Sequence, residues 1–130
     1  MSTELFYLVL VATLTALTWL PYVLNTLSVR GLNNAVGYPE NPAPLAPWAQ
    51  RMKAAHYNSV ESLVVFATLV IVAHLAGVSD GATATAAMVY FWARVAHLIV
   101  YTFGVPWLRT LSFAVGYAAM LVFAWKLLAG

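Results

Sequence analysis

Two groups of polar side chains stand out in a chain that is otherwise rich in apolar residues. The first group comprises Arg51, Asn58 and Glu61, at positions i, i+7 and i+10. In a helix, which turns by about 100 degrees per residue, these side chains fall within about 80 degrees of arc. His56 lies on an adjoining flank. An arginine, an amide and a carboxylate on one helix face can together bind a charged, polar molecule.

The second group follows a spacing of four, three and four residues, which is helical. Its members are Tyr90, Arg94, His97 and Tyr101. They form one narrow polar stripe on a segment that is apolar elsewhere. A charge in the middle of a membrane span costs at least a few kcal/mol, so this stripe is expected to face protein or water.

The composition indicates which elements position these groups. Hydrophobic residues make up 63% of the 130 residues and charged residues only 8%, against roughly a quarter charged in soluble domains. This balance excludes a cytosolic enzyme, and the lack of a basic run argues against nucleic acid as a partner. The chain has no cysteine, so thiolate metal sites and cysteine nucleophiles are excluded too.

Four apolar stretches are long enough to cross a bilayer, at about 5–27, 54–76, 82–103 and 107–128. The first has no positive segment before it and no small-residue cleavage site, so it is interpreted as a retained span. Four prolines between 31 and 50 predict an extended loop there, whereas the other two connections are tight. The predicted fold is an all-α integral membrane protein, an antiparallel four-helix bundle forming one domain over 1–130.

The distribution of basic residues predicts the orientation, because Lys and Arg accumulate on the cytoplasmic side. The first and third loops are flanked by four of them: Arg30, Arg51, Lys53 and Arg109. The other end carries Glu4 and Asp80, with Lys126 as a single exception. We therefore expect the long first loop in the cytoplasm and both termini outside.

Depth along the helices predicts which polar groups meet. Glu61 lies about 10 Å and Arg94 about 13 Å from the cytoplasmic edge, at 1.5 Å per residue, which predicts a buried ion pair between them. The pair alone would be consistent with a structural role in setting helix register. Asn58, His97 and Arg109 approach the same half of the bundle, however, and this surplus of polar groups favours a cleft for an anionic, polar ligand.

No metal site is predicted. His56 and His97 lie on different spans, and no third histidine or cysteine accompanies them.

The run from Arg51 to Glu61, RMKAAHYNSVE, resembles the second-helix signature of the MAPEG proteins, the membrane-associated proteins in eicosanoid and glutathione metabolism. In members that use glutathione, the signature reads roughly R-x-x-R-A-H-x-N-x-x-E. The run Ala93 to His97 with Tyr101 resembles the family's third-helix stripe, and Arg109 follows a short turn as the family's fourth-helix arginine does. The resemblance covers nearly the whole chain and is to a bacterial-type member, which implies the inner membrane of a bacterium as the location.

The resemblance implies a homotrimer that binds glutathione as co-substrate near the cytoplasmic face, while a lipophilic second substrate enters from the bilayer. The activity implied is that of a glutathione transferase or peroxidase acting on an electrophile or hydroperoxide. Arg109 would hold and activate the thiol. The residues implied to bind or support glutathione are Arg51, Asn58, Glu61, Arg94, His97 and Tyr101.

Ala54 departs from the signature, because it stands where the second arginine would be. Glutathione has two carboxylates that need cationic partners, and Arg30 is the candidate for a replacement charge. The same departure leaves open a non-catalytic scaffold of the same fold that binds lipid. A small proton-coupled multidrug transporter is a further alternative, but its membrane-embedded glutamate usually lies on the first span, where this chain has none between Glu4 and Arg30.

Overall fold

Prolines and polar caps determine where the helices begin. In the computed structural model, which describes residues 1–130, two helices begin at Pro47 and Pro106. Proline suits this position because the first N–H groups of a helix have no acceptor within the helix, so the lack of an N–H costs no hydrogen bond. Another begins after Asp80, whose Oδ1 accepts from the Thr83 backbone N–H at 3.0 Å while Thr83 Oγ1 accepts from the Asp80 N–H at 2.9 Å. This reciprocal cap fixes the turn that precedes the helix.

The chain forms five helices and no strand: α1 Thr3–Arg30, α2 Leu32–Val36, α3 Pro47–Leu75, α4 Gly81–Thr102 and α5 Pro106–Ala129. Four of them, α1, α3, α4 and α5, are long and apolar enough to cross a membrane. The predicted fold class, an all-α integral membrane bundle, is therefore confirmed, and the chain is a multi-pass membrane protein. The predicted orientation stays a prediction.

The predicted loop is wrong at two places. The helix α3 begins at Pro47, not near 54, because proline in the first helical turn starts a helix as readily as it breaks one. The short helix α2 occupies 32–36, which precede the first proline of the loop, Pro39. Only the stretch between α2 and α3 lacks helix, and its Ala46 N–H is held by Asn25 Oδ1 at 3.0 Å.

Antiparallel packing gives the bundle two ends. The termini end holds both chain termini and the α3–α4 turn, and the loop end holds the 31–46 loop and the α4–α5 turn. The apolar core lies in the middle and towards the termini end, where Phe66 stacks on Tyr90 at 3.8 Å between ring centroids and Phe123 packs edge-on against Phe66. These aromatic contacts thus hold α3, α4 and α5 together in the middle of the bundle.

Polar contacts close the termini end. Glu4 is buried, and its carboxylate accepts from Ser79 Oγ at 2.5 Å and from Thr83 Oγ1 at 3.5 Å. The Lys126 ammonium lies 2.9 Å from the Asp80 carboxylate. The hydrogen bonds from Lys126 and from the Thr83 backbone hold the pKa of the Asp80 carboxyl below its ordinary value. Because Asp80 pairs with Lys126, the charge of the one lysine at this end is neutralised.

Candidate functional site

A cleft of about 500 Å³ opens at the loop end, between the first turns of α3 and the α4–α5 turn. We call it the loop-end cleft; its walls come from Pro47, Gln50, Arg51, Ala54, Tyr101, Gly104, Val105, Pro106 and Arg109. Proline and glycine shape the turn, while two arginines, a tyrosine and a glutamine supply the polar groups. Two guanidinium groups in one cleft make it a site for an anion.

Arg51 fastens the α4–α5 turn as well as lining the cleft. Its Nε donates to the Thr102 carbonyl oxygen at 2.8 Å, one of the carbonyls that a helix C-terminus leaves without a helical partner. Gly104 has a φ of +75°, and a Cβ there would lie 3.3 Å from Arg51 Nε. The turn therefore needs glycine both for its backbone conformation and for room beside the arginine.

Arg109 lies in the first turns of α5, where the helix amino terminus adds partial positive charge to that of the side chain. Its guanidinium carbon lies 4.8 Å from the centroid of the Tyr101 ring. The chain's one ion pair is that of Lys126 with Asp80, so no carboxylate of the same chain neutralises Arg109. Its charge remains available to a ligand.

Two smaller cavities lie closer to the middle of the bundle than the loop-end cleft does. A side chamber of about 310 Å³ shares Tyr101 and Arg109 with the cleft, and its other lining residues are Asn58, His97, Thr110 and Phe113. A third cavity of about 220 Å³ lies between α3 and α5 and shares Asn58 and Phe113 with the side chamber. We call it the α3–α5 cavity; its other lining residues are Glu61, Ser62, Val65, Arg94, Tyr117 and Met120.

The predicted ion pair between Glu61 and Arg94 is wrong. The buried Arg94 guanidinium donates through Nη2 to Asn58 Oδ1 at 2.7 Å and to Ser59 Oγ at 2.8 Å. Depth had placed Glu61 at the level of Arg94, but Asn58 and Ser59 reach the guanidinium instead. Glu61 is exposed and pairs with no cation of the chain, while Arg94 Nε has no partner.

His97 and His56 have different surroundings. His97 is buried, its Nδ1 has no partner, and its ring packs against Tyr101 at 5.4 Å and 71° between planes. His56 joins α1 to α3: its Nε2 lies 2.9 Å from the Thr15 carbonyl oxygen and its Nδ1 lies 2.7 Å from Tyr22 Oη. Since a carbonyl only accepts, Nε2 carries the proton and Nδ1 accepts from the tyrosine. His56 is thus a packing residue, and no group of three or more metal-ligating side chains exists in the chain.

The structure distributes the predicted site residues over three neighbouring cavities that share lining residues. Arg51, Tyr101 and Arg109 line the loop-end cleft, Asn58 and His97 the side chamber, and Glu61 and Arg94 the α3–α5 cavity. Arg30 lines none of them within one chain, because its Nε donates to the Ala43 carbonyl oxygen at 2.8 Å and holds the loop.

Three lining or supporting residues were missed. Gln50 fell in the predicted loop, so no helix-face argument reached it. Ser59 was missed because a serine within a span has no charge to mark it, although it is the direct neighbour of Asn58. Tyr117 could have been found, since it follows Phe113 by four residues and therefore shares its helix face.

A multi-pass four-helix membrane protein with a cationic cleft at one end of the bundle is the class that fold and site define. The MAPEG family model matches residues 8–129, and the chain therefore belongs to the MAPEG family. Members of this family generally use glutathione as a substrate and are typically trimeric. No curated protein matches the chain.

Proposed function

We propose that this protein is a membrane glutathione transferase or peroxidase that acts on a lipophilic electrophile or hydroperoxide. Glutathione binds in the loop-end cleft as co-substrate, and Arg109 stabilises its thiolate. The protein works as a homotrimer in a bacterial inner membrane, with the loop end in the cytoplasm.

The observation that carries this proposal is the meeting of Arg51, Tyr101 and Arg109 at one cleft. Glutathione has two carboxylates, and guanidinium groups bind carboxylates through paired N–H donors. A guanidinium is always protonated, so it lowers the pKa of a nearby thiol and raises its thiolate fraction. The amino terminus of α5 adds to the same positive potential.

The second substrate reaches the thiolate from the opposite side of Arg109. The α3–α5 cavity is lined by apolar and aromatic side chains together with polar ones, and Phe113 and Tyr117 on its rim are exposed along a membrane-spanning helix. Their rings stack at 16° between planes. A lipophilic molecule can therefore enter from the bilayer and meet the thiolate at the side chamber, which shares Phe113 with one cavity and Arg109 with the other.

In the proposed homotrimer, a neighbouring chain supplies polar groups that one chain lacks. Glu61 is a carboxylate exposed on a membrane-spanning helix without a cation from its own chain, which is costly against lipid. A neighbouring copy packed against this face removes Glu61 from lipid, and the Arg30 of that copy is the candidate for the charge that Ala54 lacks. Native mass spectrometry in mild detergent should give three chains per particle, and a monomer or dimer would contradict this part of the proposal.

The direct experiment measures glutathione ionisation and turnover on the purified protein in detergent. Glutathione thiolate absorbs short-wavelength ultraviolet light more strongly than the thiol does, and bound glutathione should ionise at a lower pH than free glutathione. Turnover is then followed with a lipophilic electrophile and with a lipid hydroperoxide. The absence of both binding and turnover with every substrate would overturn the proposal.

Ala54 favours a second candidate function, a lipid-binding scaffold without catalysis. It lines the loop-end cleft where the signature of glutathione-using members has an arginine. For a scaffold, labelled lipid should bind the purified protein and glutathione should not. Replacing Ala54 with Arg separates the two functions, because it should strengthen glutathione binding only in a cleft that already takes glutathione.

A further inference from the structure

The Arg109 side chain lies over one aromatic ring of the chain, that of Tyr101. Its guanidinium carbon lies 4.8 Å from the centroid of the Tyr101 ring, and the side chain is otherwise exposed. It forms no ion pair and no side-chain hydrogen bond, since the chain's one ion pair lies at the other end of the bundle. An arginine in this situation has many rotamers open to it, and it loses side-chain entropy when one of them is selected.

The Tyr101 ring, in contrast, is packed against a buried ring, and the backbone next to it is fastened by a hydrogen bond. Tyr101 is partly buried on α4, and the buried His97 ring, one helical turn earlier, packs against it at 5.4 Å. The next residue, Thr102, accepts the hydrogen bond from Arg51 that fastens the α4–α5 turn. The Tyr101 ring therefore has less freedom to move than the exposed Arg109 side chain, and it can orient that side chain.

We propose that Tyr101 is a positioning residue that holds Arg109 at the boundary between the loop-end cleft and the side chamber through the face of its aromatic ring. The ring face attracts a guanidinium electrostatically, and this attraction needs no hydroxyl. Arg109 consequently stays where both cavities meet, and does not turn towards solvent or lipid headgroups. The consequence for thiol chemistry rests on the proposed function, whereas the geometry of the pair does not.

Three variants separate the ring from the hydroxyl. Tyr101→Phe keeps the ring, and Tyr101→Leu removes it. Tyr57→Leu is the matched control: Tyr57 also lies under a cation, with Lys53 Nζ 5.8 Å from its ring centroid, but it lines none of the three cavities.

The first measurement is the pH midpoint at which bound glutathione forms thiolate. It should be the same in Tyr101→Phe as in wild type and should rise by roughly half a pH unit in Tyr101→Leu, the shift that corresponds to a partly exposed cation–ring contact. Glutathione affinity is measured separately, because loss of the hydroxyl can weaken binding without moving the midpoint. Equal midpoints in Tyr101→Leu and wild type, or a raised midpoint in Tyr101→Phe, would overturn the inference.

The second measurement needs no glutathione and decides the geometry alone. In NMR spectra of the detergent-solubilised protein, the side-chain protons of Arg109 should show an upfield ring-current shift in wild type, Tyr101→Phe and Tyr57→Leu, and should lose it in Tyr101→Leu. If wild type or Tyr101→Phe lacks this shift, the inference is wrong even if Tyr101→Leu fails to fold. If wild type shows the shift but forms no thiolate, the proposed function fails and the positioning contact stands.

Discussion

The two ends of the helix bundle differ in how completely their polar side chains are paired. At the termini end, Glu4 accepts from two hydroxyl groups, and Asp80 pairs with Lys126 and caps α4. Towards the loop end, buried atoms of Arg94, His97 and Thr102 have no partner in the chain. Buried polar atoms are normally paired, so unpaired ones need a specific explanation.

The difference separates polar groups that hold the fold from polar groups kept for a ligand or a neighbouring copy. A polar cluster that is fully paired adds stability and offers little to a ligand. An unpaired donor beside a cavity costs stability and gains it back when a ligand or partner supplies an acceptor.

The largest effect should come from Arg109→Lys. Lysine keeps the charge but loses the planar pair of donors and the stacking on Tyr101. Turnover with glutathione should fall about 100-fold, as for removal of one donor that stabilises a developing anion, while thermal stability in detergent changes little. Lys53→Gln, which removes a cation at the same end outside the three cavities, is the control. Wild-type turnover in Arg109→Lys would show that Arg109 only anchors the helix to headgroups.

The next largest effect concerns the buried guanidinium in the middle of the bundle. Asn58→Leu removes one of the two acceptors that hold Arg94 Nη2. We expect a loss of about 2–4 kcal/mol in the free energy of unfolding, because a buried charge is left with fewer partners. Asn34→Leu, at an exposed position of α2, should change it far less. Equal stability of the two variants in detergent would mean that Arg94 finds another acceptor.

The termini end offers the matching test of a carboxylate. Glu4→Gln should cost about 1–2 kcal/mol of unfolding free energy, because an amide oxygen is a weaker acceptor for the Ser79 and Thr83 hydroxyl groups than a carboxylate oxygen. Glu40→Gln, at an exposed loop position, is the control. Turnover should be unchanged in both variants, and a loss of turnover in Glu4→Gln at full stability would remove the division between the two ends.

A backbone change at the loop end should have a smaller effect on stability and a selective one on binding. Gly104→Ala places a side chain at a φ of +75° and a Cβ 3.3 Å from Arg51 Nε. Strain at positive φ costs about 1 kcal/mol, and the displaced Arg51 should weaken glutathione binding. Gly77→Ala, at the termini end, has a similar φ of +72° but nothing within 4 Å of the added Cβ, so it should carry the strain without the loss of affinity. Equal glutathione affinity in the two variants would show that Arg51 moves freely.

Some features of the structure could be predicted from the sequence and others could not. The four spans were predictable because about 20 apolar residues in a row have no other common structure. The start of α3 was missed because four prolines predict a loop over 31–50. The last of them, Pro47, is the first residue of the helix, and proline suits a first helical turn equally well. The partner of Arg94 was missed because depth along a helix gives the level of a side chain and not its rotation towards a neighbour. The pairing of Lys126 with Asp80 joins two distant positions, and no periodicity predicts such a contact.

The smallest expected effect is the pH dependence of the Asp80–Lys126 contact. The folded-state pKa of Asp80 lies below its ordinary value of 3.8, chiefly because of the hydrogen bond with Lys126. A carboxyl with a lowered pKa contributes stability that is fully present above its ordinary pKa and is lost as the pH falls through the folded-state pKa. Both groups are partly or largely solvent-exposed, so water and salt screen the interaction and the contribution is small. The melting temperature in detergent should therefore fall less between about pH 6 and about pH 3 in Asp80→Asn than in wild type. Lys126→Met should reduce the same slope, since it removes the group that lowers the pKa most. If both variants lose as much stability in acid as wild type, the Asp80–Lys126 contact does not govern the acid sensitivity of the termini end.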